Sequence, residues 1–493
     1  MVNDLVFCTP AEAGLPSAQV SALIDRFAEF KLNLHSFLLV RGGKIFTEAY
    51  YAPFDKEFAH RIYSCSKTYV ALAIGRMITE GKLTLDTRIA DHFPELCEKP
   101  LHKWMQECTV EDALKMTVPL PWDSYYNRDY KEWAWTFFNR MPAVKPGGTL
   151  FHYNTSGSFI LDVLVEKLSG MTFLEYLRPV FDKLGVSRDI WCVQSPDGYS
   201  WGGSGVITTL RDFAKVGEFL LHRGEVNGEQ LIDRAYMEKM TSKQISNLYE
   251  NFYSLRTTQG YGYQTWISDS GWSMYGMGSQ YVFCFPEKDL MFVCQGDTQY
   301  PGDHAGDIIY DAVKHLVYQP MSDAPLAPDA AAAEALRARV ETLELDAVRG
   351  EAHSALESTV SGATYTLEEN DLGWKWFRLE LEGEGGTLVY ENARGVKRLP
   401  FGFNRFVRCT FPETHCYDKQ VETPADRELD CLCSASWTMP FTLLLRAYVV
   451  DTNFGNTHIQ LSFKDNEVGV MAQKCAEFFM DDYQGFAGGC RAN

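Results

Sequence analysis

No apolar run in the 493-residue chain approaches the roughly 18 residues that a membrane-spanning helix needs. Nor is there a basic excess. Lys and Arg number 46 against 65 Asp and Glu, a formal net charge of −19, which argues against nucleic acid and anionic membrane surfaces as partners. Met1, Val2, Asn3, Asp4 and Leu5 supply neither a basic n-region nor an apolar h-region, so no secretory signal is read and a cytoplasmic location is expected. The thirteen cysteines are odd in number and lack a framework spacing; reduced thiols are the expectation. Around His415, Cys416, Cys431 and Cys433 nothing completes a four-ligand spacing. A strand would simply place Cys431 and Cys433 on one face as packing residues. No metal and no cofactor is expected. Repeats of fixed period are absent, as is any low-complexity tract beyond one linker.

What is present is a soluble globular composition, 46% apolar and 23% charged, in a chain too long for a single core. Residues 1–320 alternate helical and strand-like runs. The stretch 36–46 reads as a hairpin around Gly42 and Gly43, and 281–294 as a second hairpin. A closing helix is expected over 307–318. Strands at both ends with helices between them predict an α+β domain whose antiparallel sheet is completed by both termini. Residues 321–350 read as a Pro/Ala/Asp-rich linker and a short Ala/Glu/Leu helix, roughly 331–348. From 351 to 493 short strand-like runs recur between turn signals, at 374–381, 387–390, 405–411, 431–437, 441–450 and 458–463. They predict an antiparallel β domain, a barrel (lipocalin-like) or a sandwich.

The most informative local feature is Ser64 followed by Lys67, the pattern S-x-x-K at the start of a helical run. Serine is a poor nucleophile without a base in hydrogen-bond reach. Residues i and i+3 share a helix face, so Lys67 would lie beside the Ser64 hydroxyl. The helix N-terminus would favour an oxyanion there. The plain alternative is an ordinary helix with Ser64 as N-cap and Lys67 in solvent. Against it stands the apolar run Val70, Ala71, Ala73, Ile74, Met77 and Ile78, stopped at Gly81, which marks a buried helix. Burial would push Lys67 toward the neutral form that accepts a proton. Cys65 would point about 100° away from Ser64 and reads as a packing residue.

Three further stretches matter: 146–157, containing Pro146, Gly147, Phe151 and Tyr153; 202–212, beginning Gly202-Gly203-Ser204-Gly205; and 275–280, with Gly276, Gly278 and Gln280 before the late hairpin. The ordered set S-x-S-K, P-G-x-x-x-F-x-Y, G-G-x-G-x-x-x-T-x-x-D and G-x-G-x-Q resembles the serine β-lactamase and penicillin-binding-protein superfamily. The match is to its class C-like branch of esterases, D-aminopeptidases and nylon-oligomer hydrolases, over roughly residues 10–318.

The resemblance implies a β-lactamase/transpeptidase-like fold and a serine hydrolase acting through an acyl-enzyme on a small ester or amide. Ser64 would be the nucleophile, Lys67 its base or proton relay, and Tyr153 a partner sharing the proton. The N–H groups of Ser64 and Met277 would form the oxyanion hole, with Thr155, Tyr275 and Gly276 lining the substrate site. Two positions depart from the family pattern. Thr155 stands where the Y-x-N element has Asn, and Met274 where the third motif has Lys or His. Methionine cannot pair with a carboxylate, which moves the expectation from β-lactamase or D-Ala peptidase activity toward neutral esters or amides. An acyltransferase using the same acyl-enzyme, and a non-catalytic binding protein on the same scaffold, remain alternatives. The aromatic segment Trp122, Tyr125, Tyr126, Tyr130, Trp133, Trp135, Phe137 and Phe138 reads either as a helical cover or as a lid over an apolar acyl group. The C-terminal domain also resembles the barrel-like extensions of such hydrolases, and is expected to pack near the site or to mediate homo-oligomer assembly.

Overall fold

The computed structural model describes residues 6–98, 100–124, 131–248, 259–299, 304–413, 428–452, 454–476, 480 and 483–492. The chain forms two compact units. One comprises the chain up to Gly296 together with His304–Glu344; the other begins at Leu345 and also takes in Asp297, Thr298 and Gln299.

The first unit is built on a seven-stranded sheet in the order Val6–Phe7, Lys44–Tyr50, Leu34–Arg41, Leu290–Gly296, Gln280–Phe285, Gly271–Gly276 and Trp266–Ser268. Both expected hairpins are present. The first turns through Gly42 and Gly43 at φ of 55° and 70°, the left-handed pair that a two-residue hairpin turn requires. The second turns through the short 3-10 helix Pro286–Lys288. The two hairpins join because Leu290–Gly296 pairs antiparallel with Leu34–Arg41, so early and late chain complete one sheet. Helices Ser17–Glu29 and Ala305–Val313 cover one face through Phe27, Phe37, Phe283, Phe292 and Ile309. On the other face, Gly217 of helix Leu210–Leu221 presses on Val282 and Met291, where a Cβ would approach Met291 Sδ to 2.5 Å.

Helix Ser66–Thr79 lies deep in this unit. Eleven of its residues are buried, as the apolar run predicts. It stops before Gly81, which is left-handed at φ 69°. The helix in the linker region spans Ala330–Glu341, shorter than the composition predicted, and the chain beyond it is largely extended.

The second unit is an antiparallel ten-stranded sheet from Thr364–Leu367 to Gly485–Arg491. It closes into a barrel where Gly402 and Phe403 pair with Ser434 and Ala435. Trp374, Phe377, Tyr390, Trp437, Phe463 and Tyr483 fill its core, with Trp374 stacked on Tyr390 at 4.1 Å. The six strand-like runs all fall on strands. Four more strands escaped the sequence pattern: Thr364–Leu367, Gly395–Phe403, Glu467–Cys475 and Gly485–Arg491. The last carries three glycines, which weaken a strand signal. Gly489 is needed for close approach, because a Cβ there would meet the Thr366 carbonyl oxygen at 2.2 Å.

One buried pair in the first unit makes its stability depend on pH. His35 and His60 are each 1% exposed, with Nδ1 of the first 3.1 Å from Nε2 of the second. His35 also stacks on Phe54 at 3.8 Å. Burial pushes His60 from 6.5 down to about 3. Between those values the unfolded chain binds a proton that folded His60 refuses. Its contribution is therefore complete above pH 6.5 and is lost as pH falls toward 3. The upper bound is about 5 kcal/mol. Urea unfolding followed from pH 7 to pH 4 is expected to show a midpoint that drops with acid in the wild type and drops less in His60→Gln. Equal slopes would rule out His60 as the source.

Candidate active site

Ser64 lies in the 3-10 turn Tyr63–Cys65, which runs directly into helix Ser66–Thr79. It does not cap that helix: the N-cap position is Cys65, and no side chain caps there. Tyr63 adopts φ 46°, a left-handed conformation that costs a non-glycine residue about 1–3 kcal/mol. The turn is thereby bent so that the partly exposed Ser64 precedes a helix whose next residues are buried.

Lys67 is 1% exposed. Its Nζ donates to Ser64 Oγ at 3.0 Å and to the Gly203 carbonyl at 2.6 Å, and it lies 4.9 Å from the centre of the Tyr153 ring. The Tyr153 side chain hydrogen-bonds Ser64 as well; burial raises this phenol well above its usual range, against the opposing effect of the Ser64 bond. Tyr153 is thus a neutral phenol at physiological pH. Two groups from separate motifs, the Lys67 amine and the Tyr153 phenol, thus meet at the Ser64 hydroxyl. Cys65 is fully buried with its thiol pushed well up by desolvation, and Sγ donates to the Gln280 carbonyl at 3.1 Å. It is a packing residue, as its helical angle indicated.

Glycines permit these approaches. A Cβ on Gly203 would meet the Thr155 methyl at 2.5 Å, and one on Gly202 would meet Val70 Cγ2 at 2.5 Å. Gly202 N–H donates to Asp162 Oδ2 at 3.0 Å, and burial holds the fully buried Asp162 carboxyl well above its usual range. On strand Gly271–Gly276, a Cβ on Gly276 would meet the Ile62 carbonyl at 2.4 Å and Cys65 Sγ at 3.3 Å. The strand end therefore abuts the turn that bears Ser64. Beyond it the chain turns sharply through Gly278 and Ser279 at φ of 75° and 72°. Gln280, 0% exposed, clamps this turn. Its Nε2 donates to the carbonyls of Gly278 at 3.0 Å, Met277 at 3.3 Å and Gly296 at 2.7 Å. Met277 is 37% exposed at the turn.

The remaining sequence candidates occupy different positions. Thr155 is 5% exposed and opens helix Thr155–Ser169 with its methyl against Gly203. Asn154 caps that helix by accepting from Gly157 N–H at 3.0 Å. Tyr275 alternates with Gly276, so it projects to the other face of the strand. There its ring lies 4.4 Å from that of Tyr281 and its hydroxyl sits against Gly306. Met274 shares the face of Gly276 and is 1% exposed. In the aromatic segment, Trp133, Phe137 and Phe138 of helix Trp133–Asn139 are buried, which is the cover reading. Trp122 is 59% exposed, while Tyr125, Tyr126 and Tyr130 lie outside the described residues. Of the aromatics packed around Tyr153, Phe151 belongs to the second sequence motif, whereas Trp266 and Tyr261 were not singled out by sequence. Trp266 stacks on Tyr153 at 5.5 Å and 19°, and Phe151 and Tyr261 pack against it. The only sequence signal for Trp266 and Tyr261 is the local density of Tyr261, Tyr263 and Trp266. Among the described residues no three His, Cys, Asp or Glu side chains could hold a metal, and no helix is long and apolar enough to cross a membrane.

The beta-lactamase family model matches residues 35–316. A 6-aminohexanoate-dimer hydrolase from Paenarthrobacter ureafaciens is 24% identical over 318 residues, which cover 58% of this chain and 78% of that protein. A penicillin-binding protein homologue from Caulobacter crescentus has a TM-score of 0.50 at 17% identity, over 62% of this chain and 99% of its own. An octameric penicillin-binding protein homologue from Pyrococcus abyssi has a TM-score of 0.48 at 18% identity, over 96% of this chain and 99% of its own. With its family model matched over more than half its length, the chain belongs to the beta-lactamase family, and it is a hydrolase of the β-lactamase fold.

Proposed function

We propose that the protein cleaves a neutral ester or amide through an acyl-enzyme on Ser64. The observation that carries this reading is the buried Lys67 Nζ, 3.0 Å from Ser64 Oγ and oriented by the Gly203 carbonyl. In its neutral form Lys67 takes the Ser64 proton as Oγ attacks the substrate carbonyl carbon. The proton passes through the Tyr153 phenol to the leaving alcohol or amine. The oxyanion is held by the backbone N–H groups of Ser64 and Met277, the latter presented by the turn that Gln280 clamps. Donors of this kind are worth about 3–4 kcal/mol each in other serine hydrolases. Water then attacks the acyl-enzyme with the same groups acting in reverse. An acyltransferase differs only in which nucleophile arrives at this second step.

The surroundings of the cluster support this substrate class. Met274 is buried and uncharged where a carboxylate-binding cation would stand. The walls are aromatic, from Trp266, Phe151 and Tyr261. An amide is favoured by the Paenarthrobacter ureafaciens relative, whose name gives a 6-aminohexanoate dimer as its substrate. Self-association through the barrel belongs to the same proposal, motivated by Phe486 at 69% and Met439 at 52% exposure. Sedimentation velocity of this chain at micromolar concentration reads it directly, and a monomer there would refute it.

Intact mass after treatment with a fluorophosphonate probe is expected to show one adduct on wild type and none on Ser64→Ala; an unlabelled folded wild type would sink the acyl-enzyme reading. Tyr153→Phe is expected to lower kcat on an ester substrate by about 100-fold or more, since positioned acid–base groups contribute roughly that much. A chromogenic cephalosporin should be hydrolysed poorly or not at all, and rapid turnover would overturn the neutral-substrate assignment. Gly276→Ala is expected to push the strand end off the nucleophile turn and lower kcat by about tenfold or more through a misplaced oxyanion hole. Unchanged kinetics would mean that the strand end does not carry a catalytic donor.

A further inference from the structure

We infer that Arg61 is a positioning residue for the Ser64–Lys67 pair; this rests on the acyl-enzyme reading above. Arg61 does not reach the reacting atoms. It is 7% exposed and lies three residues before Ser64. Its guanidinium is sandwiched between two aromatic rings, 4.4 Å from the centre of Tyr63 and 4.5 Å from that of Trp201. From that sandwich Nε donates to the Ser204 carbonyl at 2.8 Å and Nη2 to Ser204 Oγ at 2.9 Å. Each contact falls on a part the site requires. Tyr63 is the left-handed residue that bends the chain into the nucleophile turn. Ser204 adjoins Gly203, whose carbonyl fixes Lys67 Nζ.

One planar cation therefore joins the turn that bears Ser64 to the loop whose Gly203 carbonyl anchors Lys67 Nζ. The neighbouring backbone sews the same seam: Ile62 N–H donates to the Val206 carbonyl at 2.9 Å, and Val206 N–H to Ser66 Oγ at 3.0 Å. Those bonds fix the strand beyond the loop. They do not fix Ser204 or the Tyr63 ring, which Arg61 alone among these groups engages together. The role demands arginine, because a lysine keeps the charge over the rings but lacks the planar fork that makes two directed bonds.

The test compares wild type with Arg61→Met, Arg61→Lys and Ser204→Ala, each as the full chain, with folding checked by circular dichroism and thermal melting. Two readouts are taken: the rate of fluorophosphonate labelling at Ser64, and kcat and KM on one ester. The expected result is a kcat and labelling rate reduced by about 10–100-fold in Arg61→Met with KM nearly unchanged, since small misplacements of reacting groups cost on that order. Arg61→Lys should recover part of the loss. Ser204→Ala removes one prong of the fork from an otherwise unaltered sandwich, so it should fold even if Arg61→Met does not, and should lower kcat by a smaller factor, about threefold to tenfold. Labelling and kcat within twofold of wild type in a folded Arg61→Met, or in Ser204→Ala should Arg61→Met not fold, would overturn the positioning role and leave the acyl-enzyme reading intact. So would a loss confined to KM. A wild type that does not label would overturn the acyl-enzyme reading first, and Arg61 with it.

Discussion

The site depends on the need of one buried amine for partners. Lys67 stands among apolar side chains in a helix with almost no access to water. A lysine in such a place is costly unless its nitrogen is hydrogen-bonded. It finds two acceptors, the Gly203 carbonyl and Ser64 Oγ. The backbone acceptor fixes the direction of Nζ, and the hydroxyl is what remains within reach. The same requirement that makes the helix foldable thus holds the amine against the Ser64 hydroxyl. Tyr153, partly buried beside Trp266 and held as a phenol, completes the set from a third segment, so each polar group of the cluster has a neighbour.

Close backbone approach is the second constraint. Helix Ser66–Thr79, the loop at Gly202–Gly205 and the strand end at Gly276 all meet around Ser64 with less space between them than a methyl group needs. Glycine is required there because of crowding. Gly203 and Gly276 have no left-handed φ to excuse them, whereas the turn at Gly278 and Ser279 does. Main-chain N–H groups in such a place are immobilised by packing, which is what the proposed oxyanion hole would need.

The C-terminal barrel obeys a different logic. Its interior is a core of stacked aromatics, and it buries a charged group with full compensation. Glu413, 2% exposed, accepts from Asn392 at 2.5 Å and from Arg394 at 3.0 Å, with Lys397 at 3.3 Å. Such a network favours one closed register over others, which a barrel rich in glycine needs, because glycine strands specify register weakly. Cys431 and Cys433 lie in that core, on one face of their strand, as packing residues.

The sequence by itself determined whatever depends on near neighbours along the chain. Spacing three apart placed Lys67 beside Ser64, the apolar run made the Lys67 helix a buried one, Gly42-Gly43 turned a hairpin, and short runs recurring between turn signals marked six barrel strands. Motif order was enough to name the family and to bring Tyr153 and Gly276 to the right neighbourhood. Only the tertiary structure decided which face each side chain took and what lay opposite it. It packed the Tyr275 ring on Tyr281 and Gly306, set the Thr155 methyl on the glycine loop, and put Trp266 on the Tyr153 ring. It also supplied the Gly203 carbonyl and the Arg61 sandwich. Lys67 and Gly203 are 136 residues apart and Arg61 and Ser204 are 143 apart, so no local period carries their distance. Their meeting is fixed by how helices and strands pack under the limits of side-chain volume.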